Sequence, residues 1–416
     1  MSLKDKKALL ITNGCPENRI DLARMQELLK ENNWLITKKI KEADLILFNT
    51  CGLTKQIEET TIKMIKQLKR KKKSTADLIV FGCLSKINLN RLRENYDGYT
   101  FGSDDIDEFI EILDLKTDTK KVCANYLLPY CNNLRKFNIP KLKDIESLMY
   151  IDTFLRDKFN ERLYEAINIY RPDSFIIKVS TGCVYTCAYC AVRISRGRVR
   201  SKSIAQIQRE FEKGLAEGFK EFSIIGTDLG SYGKDIGTDL VALLQKLITL
   251  SGDYQIRLRN LHPKFLINRM DELKSIFQTG KISYLESAVQ SGNNRILKLM
   301  NRPYTIENYK KAISILNKQF PDIKIRTQFI VGFPGETDAE FRDTLNLIDD
   351  ICFDLVEVYR FEPRPGTKAD AMNDIIPEKV ARKRYYQLLR KSILNQKVRK
   401  KKAMKEYIEK YQQVNS

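Results

Sequence analysis

The chain is 416 residues long, 43% hydrophobic and 30% charged, with a formal net charge of +20. That length buries large cores and predicts two or three domains, and with no apolar run of membrane-spanning length no membrane role is expected. The positive excess fits a polyanionic partner and equally a lysine-rich bias that covers every surface.

In chain order, Met1-Ser2-Leu3-Lys4-Asp5-Lys6-Lys7 lacks a signal-peptide core and runs straight into a strand. Together with nine cysteines, this predicts a reducing cytoplasm in which thiols serve as metal ligands. Residues 7 to about 105 alternate strand and helix. Lys7–Thr12, Trp34–Lys38, Ala43–Phe48 and Asp77–Phe81 read as strands, and Arg19–Glu31 and Gln56–Lys72 as helices. The spacing predicts an α/β domain, a flavodoxin-like, doubly wound parallel sheet over residues 1–105. Cys15 follows the first strand, Cys51 ends the strand carrying Asn49 and Thr50, and Cys83 follows Phe81 and Gly82. Each lies at the carboxyl edge, where such sheets bind ligands. Gly14, Gly52 and Gly82 would let the backbone approach a bulky group. One free cysteine is commonly a small buried hydrophobe, but three at equivalent strand ends predict a cluster.

Residues 106–174 read as a helical linker or insertion, opened by an acidic helix at Asp104–Ile112 and carrying scattered aromatics from Val122 to Tyr170. Cys123 and Cys131 there lack glycines and strand ends, and are expected to be structural. Over residues 175–375 the alternation resumes. Strands are predicted at Phe175–Val179, Glu221–Ile225, Gln255–Arg259, Ser283–Ala288, Lys324–Ile330 and Asp354–Phe361. Helices are predicted at Ile204–Glu217, Asp239–Leu250, Leu266–Phe277, Asn293–Met300, Ile306–Gln319 and Asp338–Ile351. Six consecutive units predict a partial (β/α)6 barrel with its chemistry at the carboxyl ends of the strands. Cys352, on a helix end, is expected in the core.

After the first of these strands comes Thr181-Gly182-Cys183-Val184-Tyr185-Thr186-Cys187-Ala188-Tyr189-Cys190. A disulfide framework wants an even count and a secreted context. A zinc site wants four ligands, and the chain's one histidine, His262, is far away in sequence. Three thiolates on one tight loop suit a cubane iron–sulfur cluster with one iron left open to chelate a small molecule.

This loop, with Tyr189 before its last cysteine, resembles the signature of radical S-adenosylmethionine (SAM) enzymes. Asn13-Gly14-Cys15-Pro16-Glu17-Asn18, Asn49-Thr50-Cys51-Gly52, Gly82-Cys83, Arg196-Gly197-Arg198, Gly226-Thr227-Asp228-Leu229-Gly230-Ser231-Tyr232-Gly233, Phe329-Ile330-Val331-Gly332-Phe333-Pro334-Gly335-Glu336-Thr337 and Pro363-Arg364-Pro365-Gly366-Thr367 accompany it. Together they resemble the methylthiotransferases, over roughly residues 7–105 and 175–395. The resemblance implies two 4Fe-4S clusters: one on Cys183, Cys187 and Cys190, and an auxiliary one on Cys15, Cys51 and Cys83 that carries sulfur or sulfide. SAM would then act both as methyl donor and as source of a 5′-deoxyadenosyl radical, forming C–S–CH3 on the substrate. An electron donor such as flavodoxin or ferredoxin is implied, and the chain is expected to be a monomer.

For SAM contacts, Tyr189 is expected near the adenine, Asp228 and Gln290 near the amino group and ribose, and the Val331-Gly332-Phe333 edge offers backbone groups to the adenine. Arg326 is read equally as a carboxylate contact and as a structural ion pair; His262 as structural or substrate-facing. Residues 376–416 form a basic tail: from Pro377 to Ser416 thirteen Lys or Arg stand against three Glu. A helix is expected from Lys379 to Lys410, leaving no room for the TRAM β-barrel with which family members that modify tRNA or a ribosomal protein usually end. The expected substrate is a protein or peptide side chain, with an aspartate as one candidate; the alternatives are a modified adenosine in tRNA and, from another class, a non-catalytic iron–sulfur redox carrier.

Overall fold

The computed structural model describes residues 6–103, 105–116, 122–128 and 174–395; Cys131, the rest of the predicted insertion and residues 396–416 lie outside them. The first sheet has the order β2-β1-β3-β4-β5, built from β1 (Lys7–Thr12), β2 (Leu35–Ile36), β3 (Leu45–Thr50), β4 (Asp77–Gly82) and β5 (Thr100–Phe101). All its pairings are parallel. This is the flavodoxin order, whose strand direction of travel reverses between β1 and β3. Strand β3 is buried along its whole length, because helices cover both faces. On one face α1 (Pro16–Glu31) contributes Leu22, Met25, Leu28 and Leu29. On the other α2 (Lys55–Lys71) contributes Ile62, Met64, Ile65 and Leu68. Two short helices, α3 (Cys83–Ile87) and α4 (Leu89–Arg93), follow β4.

The core of this domain does not stop at residue 105. Phe109 of α5 (Ile106–Leu113), Leu115 and Val122 are buried in the same layer as α1. Residues 122–128 form neither helix nor strand where helix was expected. The Ile176 amide donates to the Asn125 carbonyl at 3.0 Å, and Asn125 Nδ2 returns a bond to the Ile176 carbonyl at 3.1 Å. The segment thus follows the outer strand of the second sheet, whose unpaired backbone groups need partners.

That sheet has six parallel strands in the order β13-β12-β11-β10-β9-β6. They are β6 (Phe175–Lys178), β9 (Glu221–Ile225), β10 (Gln255–Leu258), β11 (Ile282–Glu286), β12 (Lys324–Val331) and β13 (Leu355–Arg360). Each pairs with the next in sequence, giving the partial barrel, while β7 (Ser180–Thr181) and β8 (Arg200–Ser201) form a small antiparallel ribbon beside it. The crossover helices are α6 (Val192–Arg196), α7 (Ile204–Ala216), α8 (Leu240–Ile248), α9 (Pro263–Asn268), α10 (Met270–Phe277), α11 (Asn294–Leu299), α12 (Ile306–Gln319) and α13 (Asp338–Asp350). All but α6 contribute to a single apolar layer over the outer face of the sheet. The helix expected over Leu266–Phe277 is two helices broken at Arg269; Pro263 is pre-set for a first helical turn. Cys352 is exposed, not in the core: the chain leaves α13 at Ile351, and Ile351 and Phe353 take the inward positions on either side of it. The helix of the tail, α14, is described over residues 378–395.

Candidate active site

The cysteines of the first domain sit where β1, β3 and β4 end, with the first two on either side of the point where the sheet order reverses. Gly82 bends the chain there with φ +113°, and a Cβ would lie 2.5 Å from the Thr50 carbonyl oxygen. Asn13 Oδ1 accepts from the Cys51 amide at 3.0 Å and its Nδ2 donates to Thr61 at 2.7 Å, fixing the loop after β1 against the loop after β3. The Asn18 side chain joins all three strand ends. Its Nδ2 donates to Asn49 Oδ1 and the Thr50 carbonyl, and its Oδ1 lies 3.5 Å from Cys15 Sγ and 3.6 Å from Cys83 Sγ. Cys51 and Cys83 are buried and Cys15 is exposed. Burial raises the Cys51 thiol first, and charge on Cys83 and Cys15 raises it further, so the three sulfurs lie within electrostatic reach of one another.

The second set follows β6. Gly182, at φ +80°, turns the chain so tightly that a Cβ would meet the Arg198 carbonyl oxygen at 2.1 Å. Arg193 from α6 reaches back to the carbonyls of Cys183 at 2.6 Å and Tyr185 at 3.3 Å. From the other side, the Ala188 amide donates to the Met300 carbonyl at 2.9 Å, and Asn301 holds the Thr186 carbonyl at 2.8 Å. The Tyr185 amide donates to Cys183 Sγ at 3.3 Å. Burial, and then the nearby Asp228 carboxylate, push the Cys183 thiol up to about 12. Cys190 is raised by burial and then by Cys187.

The other expected residues divide. Asp228 is 5% exposed and stands 3.9 Å from Cys183 Sγ. Burial raises its carboxyl against hydrogen bonds from Ser231 and from the Gly230 and His262 amides. Tyr189 packs with Ala188, Met300 and Phe333 beside the loop. Gln290 sits at φ +72°, and its buried Oε1 has no protein partner. Arg326 is ion-paired with Glu286 at 3.1 Å and with Glu357. The adenine-facing edge is partly spent: the Gly332 amide donates to Glu336 at 2.8 Å, the Val331 carbonyl accepts from Phe361 at 2.9 Å, and the Phe333 side chain is wholly buried. His262 caps α9 by accepting from the Lys264 amide at 3.2 Å, and stacks on Tyr185 with ring centroids 3.7 Å apart.

Several site residues carried no individual role in the sequence. Arg257, Arg259, Glu286 and Glu357 project from the barrel strands as buried ion pairs with Glu221 and Arg326. The signal was the alternation in Gln255-Ile256-Arg257-Leu258-Arg259, which marks one apolar and one charged face. Arg196 is 2% exposed. It reaches from α6, the helix whose Arg193 holds the Cys183 carbonyl, into the first domain to Asn18 Oδ1 at 2.7 Å and Asp21 at 2.9 Å.

The donor chemistry of both sets fits iron–sulfur clusters. All six cysteines are free and come in threes, the number that leaves one iron of a cubane open. Among the described residues no three His, Cys, Asp or Glu gather as ligands of a metal ion; a cluster of several irons spreads its thiolates wider than a single ion does.

A partial parallel barrel with a three-cysteine loop at the carboxyl end of its first strand defines a radical SAM enzyme. A family model of the radical SAM superfamily matches residues 177–348, and one described as uncharacterized protein family UPF0004 matches residues 7–102. The chain is 30% identical over 382 residues to a threonylcarbamoyladenosine tRNA methylthiotransferase of Thermotoga maritima, covering 91% of this chain and 80% of that one. It is 32% identical over 394 residues to a tRNA-2-methylthio-N(6)-dimethylallyladenosine synthase of Acetivibrio thermocellus, covering 93% and 76%. To a ribosomal protein uS12 methylthiotransferase of Thermodesulfovibrio yellowstonii it is 30% identical over 388 residues, covering 92% and 82%. A radical SAM methyltransferase from Kitasatospora setae, solved with cobalamin and a 4Fe-4S cluster, shares the fold at a TM-score of 0.58 and 13% identity, over 88% of this chain and 77% of that one. The chain belongs to the radical SAM methylthiotransferase family and is an enzyme of that kind, which uses SAM and a 4Fe-4S cluster.

Proposed function

We propose that Cys183, Cys187 and Cys190 hold the cluster that binds SAM, that Cys15, Cys51 and Cys83 hold a second cluster bearing the sulfur, and that together they serve methylthio transfer to an unactivated C–H carbon. The observation that carries this reading is that α6, whose Arg193 holds the Cys183 carbonyl, also sends the buried Arg196 to Asn18 beside Cys15 and Cys83. The bound group supplies one-electron chemistry that no side-chain acid or base offers. The protein's part is placement. Gly182 and Arg193 fix the loop, Asn18 fixes the three strand ends, and Asp228 and the unpartnered Gln290 Oε1 offer acceptors for an amino group or hydroxyl. Tyr189 offers an apolar wall. Arg326, already ion-paired, keeps the barrel interior charge-balanced.

Two substrate classes follow from the relatives. A protein side chain is supported by the ribosomal-protein enzyme, and a modified adenosine in tRNA by the two tRNA enzymes and by the charge of +20. Among the described residues no helix is long and apolar enough to cross a membrane. A low-potential donor such as a flavodoxin or ferredoxin would supply electrons to a monomer in a reducing compartment.

Anaerobic reconstitution is expected to load about eight irons per chain; a value near four sinks the second cluster. Alanine at Cys183, Cys187 and Cys190 should abolish 5′-deoxyadenosine formation. Alanine at Cys15, Cys51 and Cys83 should spare it and abolish sulfur insertion. Incubation with tRNA or with ribosomal protein, followed by mass spectrometry for one added methylthio group, assigns the substrate; tRNA binding should weaken steeply with salt.

A further inference from the structure

Seven arginines are buried among the described residues. Six are ion-paired to carboxylates: Arg196 to Asp21, Arg257 to Glu221, Arg259 and Arg326 to Glu286, Arg364 to Glu58, and Arg384 to Glu336. Arg302 is the seventh. It is 7% exposed, and its three nitrogens meet the Tyr304 hydroxyl at 3.2 Å, the Ala288 carbonyl oxygen and Cys187 Sγ at 3.6 Å. None of these is a carboxylate. Its place is fixed by the backbone: Asn301 reverses the chain at φ +56° after α11, and the Arg302 amide closes onto the Leu297 carbonyl at 2.8 Å.

A buried cation with no counter-ion in contact is costly; each of the other six buried arginines among the described residues touches a carboxylate, whereas the charge of Arg302 reaches the Asp228 carboxylate only through space. Of the three groups that Arg302 touches, Cys187 is the one that is an anion when it holds iron, as a thiolate. We propose that Arg302 is a positioning residue whose fixed positive charge is the counter-charge of the Cys187 thiolate, and that it makes the cluster on that loop easier to reduce. Adding one electron from an external low-potential reductant increases the negative charge next to the guanidinium, which favours the reduced state. The inference rests on the reading that Cys183, Cys187 and Cys190 hold a cluster.

The test uses full-length protein with Cys15, Cys51 and Cys83 changed to alanine, so that one cluster gives the signal. Iron content and the EPR spectrum of this parent test the site reading itself; a parent without iron or signal overturns that reading and this inference with it. Reductive titration with Ti(III) citrate, followed by EPR, then compares the parent with Arg302→Gln and Arg302→Lys. Arg302→Gln is expected to lower the equilibrium constant for one-electron reduction about tenfold, a potential about 59 mV more negative. Arg302→Lys should stay within about threefold of the parent, which is under 30 mV on the same scale. An unshifted Arg302→Gln, or an Arg302→Lys shifted as far as the glutamine variant, overturns the proposal. Where Arg302→Gln fails to load iron, normal loading of Arg302→Lys supports the charge role, and failure of both overturns it.

Discussion

Asp21 shows how single residues secure the site. Burial alone would raise its carboxyl, and that is the largest single influence on it, but Lys178 and Arg196 together hold it below the usual range. Lys178 lies 2.6 Å away and Arg196 2.9 Å. A folded pKa below the unfolded value of about 4 adds stability that is complete above pH 4 and is lost as pH falls through the folded value. Urea unfolding between pH 3 and 6 should therefore show wild-type stability dropping at the acid end, with a shallower drop in Asp21→Asn. At pH 7 that substitution should cost about 3–5 kcal/mol, the usual penalty for stripping one partner from a buried ion pair. Equal slopes in the two proteins would remove Asp21 from the account.

At the scale of elements, the turn at Gly182 and the cap of α13 make contrasting predictions. Gly182→Ala must move either the residue or the Arg198 carbonyl, because the added carbon would stand 2.1 Å from that oxygen. Iron after reconstitution should fall from about eight to about four per chain, the remainder being on Cys15, Cys51 and Cys83. Thr337 and Glu340 form a capping box at the start of α13. Thr337→Ala should cost about 1 kcal/mol in unfolding and leave iron content unchanged. Element type was readable because burial enforces period: β3 is apolar throughout and buried throughout, and α2 repeats its apolar face. The cysteine loops were readable because spacing along one turn survives folding. What escaped was set by distant partners. Residues 122–128 are held beside β6 by Asn125, which bonds Ile176 through its carbonyl and its side chain, and nothing local in that stretch announces it. The partners of Arg326, Glu286 and Glu357, come from neighbouring strands that its own stretch of sequence does not reveal. Arg302 had no visible role until its direct contacts, a hydroxyl, a carbonyl and a thiol, were placed around it.

At the scale of the whole molecule, the two domains meet through buried charge. Glu17, Asp21 and Glu58 face Arg196, Lys178 and Arg364. The Glu58–Arg364 pair is almost fully buried, at 8% and 3% side-chain exposure. A double-mutant cycle with Glu58→Gln and Arg364→Gln should give a coupling of about 1–3 kcal/mol. A coupling near zero would remove this pair from the forces that hold the domains together. Since the cysteine sets belong to different domains, either single substitution should also slow sulfur insertion more than 5′-deoxyadenosine formation, measured side by side in one assay.

In these four ion pairs every carboxylate comes from the flavodoxin-like half and every cation from the barrel half, while Glu362 of the barrel half accepts from the Lys55 amide. The seam is thus polarised like a plug and socket, and each half repels a second copy of itself at the same surface. Produced as separate polypeptides, the halves should find one another before they find themselves, and should do so fastest at low ionic strength. Reversing the signs on both sides would make a second, mutually exclusive pair, so two such enzymes could be assembled in one cell without exchanging parts.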